Sequence, residues 1–111
     1  MTNREQLRDL TGDVFEWQSL VDYQTGSVVS RTLVDEAEVT VTVFAFDETQ
    51  SLSEHTAPHD AILQVVDGTA TITIGTEEYE VSAGESIVLP ANEPHAVDAV
   101  TQFKMALTMI K

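Results

Sequence analysis

The sequence has no cysteine among its 111 residues. This excludes disulfides, thiolate nucleophiles and the usual cysteine-ligated zinc and iron–sulfur centres. Basic side chains are nearly as scarce. Arg4, Arg8, Arg31, Lys104 and Lys111 are the whole set, against 19 acidic residues, for a net charge of −14. Neutralising phosphates takes clustered Lys and Arg, so neither nucleic acid nor an anionic membrane surface is an expected partner. No apolar run approaches the ~20 residues of a membrane-spanning helix. The opening MTNREQLRDL carries charges where a secretory leader needs an apolar stretch. The expectation is a soluble, cytoplasmic protein. Its acidity has two readings: ordinary charge that keeps a protein in solution, or adaptation to high salt, where screening removes the mutual repulsion of carboxylates.

With 42% hydrophobic residues there is enough apolar material for one real core. Residues 2–10 form the one expected helix, capped by Thr2 or Asn3, with Leu7 and Leu10 on one face. Beyond it the apolar period becomes two. A strand is expected in SVVSRTLV, and a clearer one runs from Glu38 to Phe46. There Val39, Val41, Val43 and Ala45 alternate with Thr40, Thr42, Phe44 and Phe46, so both faces should be covered. DETQSLSEHTAPHD reads as a loop. Further strands are expected at Ala61–Val66, Thr69–Ile74, Glu77–Val81, Ile87–Leu89 and FKMALTMI, with turns at Asp67-Gly68, Gly75-Thr76 and Ala91–Pro94. About eight short strands with turns every 8–12 residues indicate an all-β sandwich or barrel. Trp17 and Tyr23 read as packing residues of an N-terminal segment that crosses the barrel or meets a second subunit.

All three histidines, His55, His59 and His95, fall in loops or beside turns, where binding groups concentrate on a β scaffold. Neutral imidazole is the commonest metal ligand. No nucleophile-elbow motif is present, which gives Ser-His-Asp catalysis no support.

From His55 onward the spacing resembles that of the small single-domain cupins. Their first motif has the form G-x5-H-x-H-x3–4-E-x6-G and their second G-x5-P-x-G-x2-H-x3-N. His55 and Gly68 match the first motif, while Thr49, Ala57 and Ala61 stand at its opening glycine, second histidine and glutamate. Gly84, Pro90 and His95 match the second, with Asn92 at its middle glycine and Ala99 at its asparagine. The resemblance covers roughly residues 38–110. It implies an all-β double-stranded β-helix, a jelly-roll barrel with a small-molecule site in its mouth. Residues 1–37 would form an N-terminal arm and first strand of the same domain, and residues 38–110 the barrel core. Gly68, Gly84 and Pro90 would then serve the turns.

Two of the family's four ligand positions keep a ligand side chain, His55 and His95. His59, four residues after His55, could complete a three-histidine site for a divalent transition metal: Zn, Fe, Mn, Ni or Cu. An open coordination position would suit an oxygenase or isomerase of the cupin type. The alternative is a metal-free pocket that binds or senses a small ligand with the same histidines as hydrogen-bonding groups. Gln64 and Met105 are candidate pocket residues, although Gln64 points outward unless a bulge shifts its strand. Met105 and Met109 read first as barrel wall. Glu54 and Asp60 are candidates to orient the histidines, or else plain solvated acids. The resemblance also implies a homodimer that pairs through its sheets.

Overall fold

The computed structural model describes residues 3–111. Nine strands follow a short N-terminal arm: β1 (Val28–Asp35), β2 (Val39–Phe46), β3 (Ser51–His55), β4 (Asp60–Asp67), β5 (Thr69–Ile74), β6 (Glu77–Ser82), β7 (Ser86–Leu89), β8 (His95–Ala99) and β9 (Phe103–Ile110). They form two antiparallel sheets, β1-β2-β9-β4-β7 and β3-β8-β5-β6. The sheets close on a core of Phe46, Leu63, Val65, Ile72, Val97, Phe103 and Met105, all but excluded from solvent. The expected double-stranded β-helix is the observed fold.

Strand β2 is covered on both faces, as its composition predicts. Phe44 and Phe46 face the barrel interior. Val39, Val41, Val43 and Ala45 face outward, where they join Leu33 and Val34 under the arm residues Leu10, Leu20, Val21 and Tyr23. The arm is shorter in helix than expected. Its helix α1 spans only Glu5–Arg8 and begins after Arg4, with no side-chain cap. Asn3 does not cap it; the Asn3 carbonyl accepts the Asp35 amide instead. Thr2 lies outside the described residues. A 3₁₀-helix at Trp17–Leu20, not foreseen from the sequence, then packs against β4 and β9.

Polar groups fix the arm in place. Arg4 makes a two-point ion pair with Glu36, 2.8 Å at each nitrogen. Lys104, buried at the start of β9, donates from Nζ to the Gln18 carbonyl at 2.6 Å and lies 4.6 Å from the centre of the Tyr23 ring. The Tyr23 hydroxyl in turn donates to Asp67 at 2.6 Å. Burial, with the Asp67 hydrogen bond and charge behind it, pushes the phenol well above the ordinary tyrosine range.

Two departures from the motif glycines sit in left-handed backbone. Thr49 and Asn92 both have φ +67°. Asn tolerates this region; a β-branched residue does so only under strain. Thr49 is exposed in a turn between β2 and β3. Thr49→Gly is therefore expected to stabilise the fold by about 0.5–1 kcal/mol, since relief of strain outweighs glycine's extra entropy when unfolded. A thermal midpoint raised by a few degrees would confirm it, and an unchanged or lower one would show the turn is unstrained.

Candidate functional site

Polar 47–60 is not wholly loop, for it contains strand β3. Its hydrophobic alternation is weak because it is an edge strand, hydrogen-bonded only to β8 and exposed along most of its length. Strand β8, also unforeseen, lies directly beside it. Leu52 stands opposite Val97, and His55 opposite His95. Three residues separate the first pair on β3 but only two on β8, so β3 carries one extra residue, a bulge. Side chains alternate faces along a strand, and Leu52 and His55 would otherwise point opposite ways. The bulge turns His55 to the inner face beside His95, on the same cross-strand row as Ile74.

The two rings meet edge to face, centroids 4.3 Å apart, with Nε2 to Nε2 at 3.1 Å. His95 is 8% exposed and His55 open to solvent, so the pair forms the rim of the barrel at this end. Each Nδ1 faces a backbone carbonyl two residues back: Ser53 for His55, at 2.8 Å, and Glu93 for His95, at 3.1 Å. A carbonyl only accepts, so both Nδ1 atoms carry the hydrogen and donate. In the neutral rings both Nε2 atoms then present lone pairs, and they present them to each other. Two lone pairs at that distance repel unless a proton or a cation lies between them. The separation is that of two ligands on one metal ion. With metal–nitrogen bonds of 2.0–2.1 Å, neighbouring ligand atoms stand roughly 3.0–3.4 Å apart.

The other candidate residues are placed elsewhere. His59 is half-buried in the β3–β4 connection. Among the described residues no group of three His, Asp or Glu side chains has metal-holding geometry, so His59 does not join the pair here. Asp60 does not orient a histidine: its Oδ1 accepts the Ala91 amide at 2.8 Å and fixes the turn after Pro90. Glu54 is exposed, and the ring nitrogens are taken up by carbonyls and by each other. Gln64 points outward, as the β4 alternation requires, and lines a cavity of about 260 Å³ with Trp17, Gly84 and Ser86. Met105 is buried in the barrel core. Sequence reasoning missed the Ser53 and Glu93 carbonyls, which set both tautomers; main-chain acceptors leave no mark in residue types. A larger open groove of about 600 Å³ lies between the arm and β1, but Arg31 within it is already engaged by Gln6 and the Leu20 carbonyl. The histidine pair is the stronger site.

A jelly-roll barrel with paired imidazoles at its rim defines a small β-barrel protein of the double-stranded β-helix class. Residues 34–111 match the family model described as "Cupin domain". The chain belongs to the cupin family. It is similar to a conserved protein of unknown function from Streptococcus pyogenes, with 38% identity, TM-score 0.87, and coverage of 90% of this chain and 88% of that one. A cupin 2 conserved barrel domain protein from Leptotrichia buccalis is 40% identical, TM-score 0.83, over 85% of this chain and 46% of that one, which is thus about twice as long. A cupin superfamily protein from Desulfitobacterium hafniense shares the fold, with TM-score 0.86 and 23% identity over 89% of this chain and 91% of that one. No curated protein matches the sequence. Among the described residues no helix is long and apolar enough to cross a membrane.

Proposed function

We propose that the protein binds a small molecule at the rim of its barrel, on a divalent transition-metal ion held by Nε2 of His55 and of His95. The observation that carries this reading is the facing pair of Nε2 atoms, 3.1 Å apart, with both Nδ1 atoms committed to carbonyls. The same arrangement that leaves two lone pairs in conflict suits them to share one cation. The backbone carbonyls take the place that a carboxylate often fills behind a metal-binding histidine. When bound, such an ion supplies a Lewis acid with positions open to water or ligand. His95 gives the buried, fixed nitrogen, and His55 gives the exposed one at the end of an edge strand. We expect the protein's other partner to be a second copy of the chain.

A second reading, a metal-free pocket, is favoured by Ala57 and Ala61, which stand at two of the family's ligand positions. There a proton rather than a metal lies between the rings. Elemental mass spectrometry of untagged protein separates the two. Near-stoichiometric metal in the wild type, and none in a His55→Ala/His95→Ala variant, is the expected result. Metal absent from both after incubation with Fe, Mn, Ni, Cu and Zn would overturn the metal reading in favour of the second.

A further inference from the structure

The histidine pair has a counterpart on the opposite sheet. The chain leaves β3 at His55 and enters β4 at Asp60, and it leaves β7 at Leu89 and enters β8 at His95. Both crossings run between the two sheets at the same end of the barrel. The row His55–His95–Ile74–Glu77 therefore faces the row Thr40–Met109–Ala61–Leu89. The second row points inward, since Ala61 and Leu89 belong to the barrel core and Met109 packs against it. Ala61 and Leu89 are buried hydrocarbon, and Thr40 offers only a hard, neutral hydroxyl. Met109 is the soft donor of that row, half-buried and on a side chain with three rotatable bonds. Facing sheets stand about 10 Å apart, a gap that an imidazole and a thioether can span with a metal between them. Met105 lies deeper along the same strand, opposite Phe44 and Val65. Carboxylates are held away from the pair. Glu77 is exposed at the far edge of its row, with Ile74 between it and His95, and Asp60 is tied to the Ala91 amide.

Resting on the metal reading above, we infer that the ion is copper and that Met109 Sδ is its third ligand in the cuprous state. Of the first-row divalent ions, copper binds a pair of nitrogens most tightly. A thioether adds little for Zn, Fe, Mn or Ni but is a good ligand for Cu(I). Charge points the same way. Two neutral imidazoles and a thioether bring no negative charge to offset a half-buried ion, so one positive charge is less costly to bury there than two. The histidines alone do not satisfy Cu(I). Nitrogens on opposite sides of one ion would stand roughly 4 Å apart, and these stand 3.1 Å apart. The pair is bent, which leaves the ion short of a ligand on the side that the thioether faces.

Anaerobic titration of the whole chain with Cu(I) in competition with bicinchoninate tests it, beside titrations with Zn(II) and Ni(II). A single Cu(I) per chain is expected, with sulfur in its coordination shell by copper K-edge X-ray absorption. Met109→Leu, which keeps most of the volume, should weaken Cu(I) binding by about 10–100-fold and leave Zn(II) and Ni(II) within about twofold. His59→Ala should leave all three unchanged. Circular dichroism verifies that the variants are folded. Absence of sulfur around Cu(I) bound to the wild type would overturn the inference, whether or not any variant folds. So would a folded Met109→Leu variant that holds Cu(I) as the wild type does, or a loss that follows His59 instead. Zn(II) and Ni(II) binding that depends on His55 and His95, with no Cu(I) bound, would remove copper and keep the metal reading. A wild type that takes up none of the three ions would end both.

Discussion

Gly68→Ala is expected to lower stability by about 3 kcal/mol or more, a large share of the ~5–15 kcal/mol that holds a domain of this size together. Gly68 joins β4 to β5 with φ +72°, a backbone conformation that costs any other residue. Space is the harder constraint. A Cβ at this position would lie 2.0 Å from the Gln102 carbonyl oxygen and 2.9 Å from both Cα and Cβ of Phe103. All but the last are main-chain atoms, which no rotamer change can move aside. Relief requires the β4–β5 turn and the start of β9 to separate. Gly84, with φ +90° but open space around it, is the natural control and should lose less on the same substitution. Urea unfolding of the two variants provides the comparison. Equal losses would mean that backbone strain alone, and not the close approach, explains glycine at position 68.

That approach bears directly on the second large effect. Phe103 is fully buried and stands opposite Phe46 across β9 and β2. Their rings stack with centroids 4.5 Å apart and planes 20° from parallel. Phe103→Ala should destabilise by about 3–5 kcal/mol, because the rigid strands around it leave a cavity rather than collapsing into it. A loss below about 1.5 kcal/mol would show that the barrel repacks freely there. Phe103→Leu, which keeps most of the volume, should recover much of the difference.

The strands that pack on two sides were the most readable part of the chain. Alternation in Val39–Phe46 marks both buried faces of β2, and Met105 and Met109, read as barrel wall, lie with Phe103 and Leu107 on the inward row of β9. Strands β3 and β8 are not legible in the sequence, because β3 is an edge strand whose polar, exposed side chains carry no apolar period, and β8, HAVDA, has Val97 as its one large apolar side chain. The glycine positions were legible as turns. The steric demand at Gly68 was not, since Gln102 and Phe103 lie more than thirty residues away in sequence. Motif spacing brought His55 and His95 forward, yet their pairing depends on the bulge after Leu52. A bulge is set by how two strands meet, not by the residues of either alone. The sequence leaves Asp60 either a partner for histidine or a solvated acid, because the Ala91 amide that it accepts lies 31 residues away.

The order of strands in the five-stranded sheet also matters for how the protein is made. β9, the last of the nine strands to be synthesised, lies at its centre, between β2 and β4. Until residue 110 has left the ribosome, β2 and β4 have no strand between them, and each exposes an unpaired edge, rich in valine and phenylalanine on β2 and in isoleucine, leucine and valine on β4. Closing that gap joins residues as far apart as Val39 and Ile110. Such distant pairings delay folding, because loop entropy is lost before contacts repay it. The nascent chain thus spends its most adhesive interval with the other eight strands already made. Dense negative charge along the rest of the chain would keep neighbouring copies apart during that wait.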